Sequence, residues 1–277
     1  MRKIVVPVDF SSGSVKALEN AVIIAKKIDG EIGVIHVNKV KSFASIFGGH
    51  KTEGNVGDIE RDMQSLIKSV DFKGINVSTT LRTGNVAKEI AQYAEEAPAY
   101  MIIIGTHGES GHNESWMGSN AIKVITSAPC PVLSMPYSEK PFDLKKIVVP
   151  IDTTITTRHK VPFTAELANF FRAEIIVAAV CVDESTEFVN KLDSYCYQVR
   201  KFLNQANVPN EYEFLTGNNV TNMTIEYAKK INADMISIMT DQDSSIFMSS
   251  PAQQMVTRSP IPVLTMNSVL EIENFEY

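Results

Sequence analysis

The sequence predicts an α/β protein built as two tandem domains, each a parallel sheet with helices on both faces. Two observations carry this. A block of eight residues near the start is written again 143 positions later, and three further blocks return in the same order. Between the blocks, short apolar runs alternate with stretches of helical periodicity, the pattern of crossover-connected parallel strands.

KIVVPVDF (residues 3–10) returns as KIVVPIDT (146–153). The offset of 143 holds through the next helix and strand, where Glu31 falls on Glu174 and Val37 on Val180. RTGN (82–85) returns as LTGN (215–218) at an offset of 133, and APCPVLSMP (128–136) as SPIPVLTMN (259–267) at 131. Four blocks in one order predict two copies of one domain, 1–137 and 146–277, joined by the polar linker SEKPFDLK (138–145).

Within the first copy, IVVPV is a short Val-rich run suited to a strand buried on both faces. Leu18, Ala21, Val22, Ala25 and Ile28 follow at helical spacing. EIGVIHV (31–37) reads as the second strand, IERDMQSLIKSV (59–70) as the second helix and INVSTTL (75–81) as the third strand. VAKEIAQYAEEA (86–97) gives the third helix, MIII (101–104) the fourth strand, and PVLSM (131–135) the fifth after a helix that starts past Gly118. Sheets of this type bind ligands beyond the carboxyl ends of their strands, at the topological switch point. The loops after the first and fourth strands are therefore the places to look.

With 44% hydrophobic and 21% charged residues, the chain has ample material for two cores. Its longest apolar run, IIVAAVCV (175–182), is far too short to span a bilayer. Pro7 and Asp9 interrupt the N-terminus too early for a signal-peptide core, so a soluble cytoplasmic protein with no membrane role is expected. Three cysteines with no C-x-x-C pair argue against a disulfide framework. Net charge is −6, which gives no support to nucleic-acid binding. Residues 1–140 hold 15 basic and 15 acidic side chains, residues 141–277 hold 11 and 17, so the second copy carries the whole excess.

The loop after the fourth strand, GTHGESGHNESWMGSNA (105–121), spaces its outer glycines as Gly105-x2-Gly108-x9-Gly118-Ser119. Glycine lets a ligand approach backbone closely, and the free N–H groups of the next helix favour an anion. The same loop also reads as an open turn, with Ser119 as a helix N-cap. Asp9 likewise reads either as a ligand contact or as a cap for the turn after the first strand.

A strand ending V-P-V-D, a G-x2-G-x9-G-S loop and a closing P-V-L strand resemble the universal stress protein family in its tandem-domain form. The resemblance implies a Rossmann-like, five-stranded sheet of order 3-2-1-4-5 in each copy, binding ATP or AMP, with or without Mg2+. It implies that Pro7, Val8 and Asp9 border adenine and ribose, with Val37 meeting the adenine through its backbone. Ile104, Gly105, Thr106, His107, Gly108, Gly118, Ser119 and Asn120 would line the ribose and phosphates. Asn120 departs from the Val or Thr common in the family. The resemblance also implies pairing through fifth strands, here PVLSM with PVLTM (262–266) as an intramolecular pseudo-dimer, and leaves a homodimer of chains open.

In the second copy Met239, Gln242 and Ser249 replace the glycines of that spacing (105, 108 and 118), and Asp241 and Asp243 stand where phosphate would lie. A helix N-terminus favours an exposed anion by roughly 0.3–1 kcal/mol, whereas a carboxylate about 4 Å from a phosphate costs about 4 kcal/mol at an effective dielectric near 20. Repulsion wins, so nucleotide is expected in the first copy alone, although Asp152 still matches Asp9. The segment 41–58, with Phe43 and Phe47, is absent in part from the second copy and reads as a lid or a plain surface loop.

The sequence holds no G-x4-G-K-[S/T], no G-x-S-x-G and no zinc constellation, so a nucleotide-binding stress-response regulator is expected rather than an enzyme. Any ATP hydrolysis is expected to be slow, with His107 its best base; His112 and Lys123 carry no defined role. Two rivals stand beside this reading. One is an interaction scaffold that binds no nucleotide. The other is an adenylating enzyme like the ATP pyrophosphatases, which VDFSSGSVKAL (8–18) resembles faintly, lacking their paired glycines and aspartate.

Overall fold

A computed structural model describes residues 1–39, 56–106, 119–240 and 250–267. It divides into two compact units, Met1–Pro129 with Tyr137–Glu139, and Cys130–Pro136 with Lys140–Tyr277.

The first unit runs β1 (Arg2–Pro7), α1 (Ser12–Ile28), β2 (Gly30–Lys39), α2 (Val56–Ser69), β3 (Val77–Gly84), α3 (Val86–Glu96), β4 (Ala99–Gly105) and α4 (Ser119–Ser127). Its sheet has the order β3-β2-β1-β4, all parallel. Ile4, Val5 and Val6 of β1 are wholly buried, as a central strand covered on both faces requires. Alternation along β2 sends Gly33 to one face and His36 to the other. On the first face α3 packs so tightly that a Cβ on Gly33 would lie 2.7 Å from the Tyr93 hydroxyl. On the second, His36 meets the loop that leads into α1.

Local chemistry explains where these elements start. Ser11 accepts from Ser14 N to cap α1, whose last turn carries Lys26 and Lys27 against the helix dipole. The repeated T-G-N block is a strand exit followed by a cap: Asn85 accepts from Lys88 N at the start of α3.

The second unit contains β5 (Val132–Met135), β6 (Lys146–Ile151), α5 (Val161–Phe171), β7 (Glu174–Cys181), α6 (Thr186–Gln205), β8 (Asn210–Thr216), α7 (Val220–Lys230), β9 (Met235–Thr240), α8 (Pro251–Arg258) and β10 (Val263–Asn267). Its strand order is β5-β10-β9-β6-β7-β8. The order β8-β7-β6-β9-β10 is the expected 3-2-1-4-5 arrangement, all parallel. Asn219 caps α7 as Asn85 caps α3, accepting from Asn222 N at 2.9 Å. The Lys–Glu coincidence of the repeat is a cross-strand ion pair made twice, Lys3–Glu31 at 3.0 Å and Lys146–Glu174 at 4.0 Å. Both are part-exposed and worth at most about 1 kcal/mol each.

The fifth strand of the first copy, β5, is carried in the second unit and pairs antiparallel with β10. PVLSM and PVLTM thus meet, but Ser134 lies across from Val263 and Thr265 across from Val132. Each hydroxyl donates to the carbonyl facing it, Ser134 to Val263 at 3.0 Å and Thr265 to Val132 at 3.1 Å. Both hydroxyls are buried, which explains why a small polar residue recurs at this place in two otherwise apolar strands.

Candidate functional site

β1 leaves the sheet at Pro7, between β2 and β4. Val8 is buried and extends the pairing by donating to Ile35 O at 2.8 Å. Asp9 is exposed, and its carboxylate accepts from Ser11 N at 3.1 Å and Ser11 Oγ at 2.6 Å. Its own N–H donates to Ser14 Oγ at 3.3 Å. Burial pushes the Asp9 carboxyl up, but the Ser11 hydroxyl and N–H, with help from Ser14, outweigh it and hold the group below its ordinary value. Asp9 therefore fixes the turn into α1, and its carboxylate stays ionised and accessible.

The fourth strand ends beside this turn. Ile104 and Thr106 are buried. A Cβ on Gly105 would lie 2.4 Å from Gly13 O and 2.6 Å from Gly13 C, backbone atoms of the first turn of α1. Gly105 is thus required by the fold itself, a reason the glycine spacing did not reveal: strand and helix pass backbone to backbone. Val37 is buried near the end of β2, its register partner Arg82 on β3. Arg82 is ion-paired to Glu96 and Glu89 and lies over the Tyr93 ring. Asn120 is half-buried in the first turn of α4, which Ser119 opens. Pro7, Val8, Asp9, Ile104, Gly105 and Thr106 are thereby gathered at one end of the sheet, with Val37 on the adjacent strand. His107, Gly108 and Gly118 lie outside the described residues, as do His112, Phe43 and Phe47.

Two residues at this end escaped the motif reading. Phe10 adopts φ 63° and stacks on His36, ring centroids 4.7 Å apart with planes at 25°. His36 Nδ1–H donates to Val8 O at 2.8 Å. The signal was available in the repeat: at the offset of 143 the pair becomes Thr153 and Ala179, both members changing together.

The second copy keeps the turn and changes the segment after it. Asp152 accepts from Thr154 N at 2.7 Å and Thr154 Oγ1 at 2.6 Å, and its N–H donates to Thr157 Oγ1 at 3.3 Å. Instead of an α-helix, a 3-10 turn (Ile155–Arg158) comes next, and α5 begins only at Val161 with Pro162 in its first turn. Met239 replaces Gly105 here, at the end of β9, where no first turn of α-helix starts as early as α1 does.

Lys160, 1% exposed, folds back so that Nζ donates to the Thr157 carbonyl and, at 3.2 Å, to Thr157 Oγ1. Burial lowers its amine to about 8, with the Asp152 charge and then Cys196 opposing the shift. Arg158, also buried, lies 3.8 Å above the Tyr195 ring and donates to Gln198 Oε1. Burial pushes the nearby Cys196 thiol up to about 12. The polar triplet R-H-K (158–160) thus holds two buried cations, Arg158 and Lys160. Asp241, Gln242, Asp243 and Ser249 lie outside the described residues. Among the described residues no group of three or more His, Cys, Asp or Glu could hold a metal, and no helix is long and apolar enough to cross a membrane.

Comparison with known proteins agrees with this architecture. The sequence profile of the universal stress protein family matches residues 1–136 and again 143–266. A universal stress protein of Methanocaldococcus jannaschii is 33% identical over 143 residues, covering 50% of this chain and 84% of that protein. One from Bacillus subtilis is 30% identical over 142 residues, covering 47% and 96%. The crystal structure of a universal stress protein from Archaeoglobus fulgidus superposes with a TM-score of 0.73 at 18% identity, covering 96% of this chain and 98% of that one. Matched twice by the family profile and folded as the tandem pattern requires, the chain belongs to the universal stress protein family.

Proposed function

We propose that the first copy binds one adenine nucleotide, ATP or AMP, and that the chain acts as a nucleotide-responsive stress regulator rather than as an enzyme. The observation that carries this is the meeting of the Asp9 turn with the β4 exit: α1 starts directly after Asp9 and its first turn closes on Gly105. An exposed, ionised carboxylate suited to ribose hydroxyls and the N-terminus of α1 thereby share one end of the sheet, beside the start of the glycine loop. The chemistry of these groups fits a nucleotide. If Mg2+ accompanies the nucleotide, the Asp9 carboxylate is an anionic oxygen group in the described part of this site that could hold it, and the ion would neutralise phosphate charge.

In the second copy the same end is built differently, with a 3-10 turn and Met239. Calorimetric titration with ATP and with AMP is expected to give a stoichiometry near one per chain and turnover well below roughly 1 per second. Two equivalent sites would overturn the assignment to the first copy. Absence of binding would favour a scaffold, and sustained turnover an enzyme.

A further inference from the structure

Among the described residues, six that are not glycine hold a positive φ. Asp29, Arg172, Asn207 and Asn232 lie at or just past helix ends, and Lys73 sits in the turn after α2, where left-handed residues are expected. Phe10 differs. It follows a strand, precedes a helix, and is a bulky aromatic in a conformation such residues rarely adopt. The Asp9 turn does not demand this. Asp152 makes the same three hydrogen bonds in the second copy with Thr153 at the matching position, outside the left-handed region. A local strain that the shared hydrogen-bonded turn does not impose, carried by an aromatic at the switch point, points to a purpose for the ring.

The strained backbone turns the Phe10 ring flat against His36, and the His36–Val8 hydrogen bond locks that backing ring to the β1 exit. Phe10 is only half-buried and directly follows the exposed Asp9 in the turn. We infer that Phe10, braced by His36, is an aromatic platform on which the base of the bound nucleotide stacks. This rests on the nucleotide reading of the first copy and extends it: the ligand is recognised by the face of a purine as well as by its ribose and phosphates. Stacking tolerates any purine, so the platform adds affinity without selecting adenine over guanine.

The test separates ring from backbone. Phe10→Gly keeps the left-handed geometry without strain and removes the ring, and Phe10→Asn does the same with a residue that tolerates that geometry. Titration calorimetry with ATP and with inorganic tripolyphosphate reads the result. For either variant ATP is expected to bind about 10-fold more weakly while tripolyphosphate binds as to the parent. His36→Ala should weaken ATP in the same direction by less, and Phe10→Trp should preserve binding. Unchanged ATP affinity in Phe10→Gly or Phe10→Asn overturns the platform alone, as does equal weakening of both ligands. No ATP binding by the parent overturns the nucleotide reading and the platform with it.

Discussion

The two copies begin identically and part company within six residues. Both leave their first strand through an aspartate that accepts from the residue two further on, and both tie that aspartate's N–H to a hydroxyl five residues along. In the first copy α1 starts at once and is pressed against Gly105; in the second the chain winds through a 3-10 turn and a buried lysine before α5 begins. The turn therefore belongs to the fold, and the helix start decides what stands at the switch point. Gly105 and the early start of α1 are one feature, as are Met239 and the late start of α5. In the first pair, Gly105 cannot gain a side chain while α1 starts where it does.

The most severe way to break the comparison is to move one residue across it. Gly105→Met places a Cβ 2.4 Å from the Gly13 carbonyl oxygen, and backbone cannot yield as a side chain would. A loss of about 3 kcal/mol or more is expected in urea unfolding, with nucleotide binding lost as well. Wild-type stability in this variant would show that α1 can retreat as its counterpart has.

Lys160 sharpens the comparison from the other side, since the first copy has Ala17 at the matching position. The amine titrates near 8 in the folded chain and at its ordinary value of 10.5 when unfolded. Between those values the unfolded chain holds more protons, so raising pH favours folding; below about 8 the full penalty stands. Lys160→Met, of similar length and without charge, is expected to be more stable at pH 7 by about 1–3 kcal/mol. The advantage should shrink as pH rises from 8 toward 10.5. Unfolding curves of both proteins across that range isolate the lysine from Cys196, whose deprotonation acts oppositely at higher pH. A difference independent of pH would mean that the ammonium is not what destabilises the parent.

The smallest effect concerns what the copies share. Ser134→Ala and Thr265→Ala each remove one buried hydroxyl bond to a facing carbonyl. Each is expected to cost about 1 kcal/mol, and by nearly the same amount. A several-fold difference in unfolding free energy would show that the two strands are not equivalent partners.

Much of this was legible because the repeated blocks coincide with places where backbone chemistry is exacting. K-I-V-V-P marks a central strand, Lys3 and Glu31 a register, Asn85 a helix cap whose counterpart Asn219 falls one residue past its block, and Ser134 and Thr265 paired hydroxyls. What stayed hidden depends on contacts between segments distant in sequence. The spacing of Gly105 suggested room for a ligand, whereas the structure gives it a helix to pass. The Phe10–His36 stack joins residues 26 apart that no motif links. Lys160 sits in a polar triplet and still becomes one of the most buried side chains, because the 3-10 turn folds its stem inward. The delayed start of α5 did have a local sign in Pro162, which suits the first turn of a helix better than its middle.

The pairing of β5 with β10 also sets a timetable for the nascent chain. Ser134 and the Val263 carbonyl it binds are 129 residues apart, so this contact closes only after all the sequence between them has been synthesised. At roughly 5–20 residues per second, the strand emerges on the order of ten seconds before its mate. During that interval an apolar edge made of Val132, Leu133 and Met135 stands open to any other extended segment in reach. Slow synthesis or a chain stalled before residue 263 would lengthen the exposure.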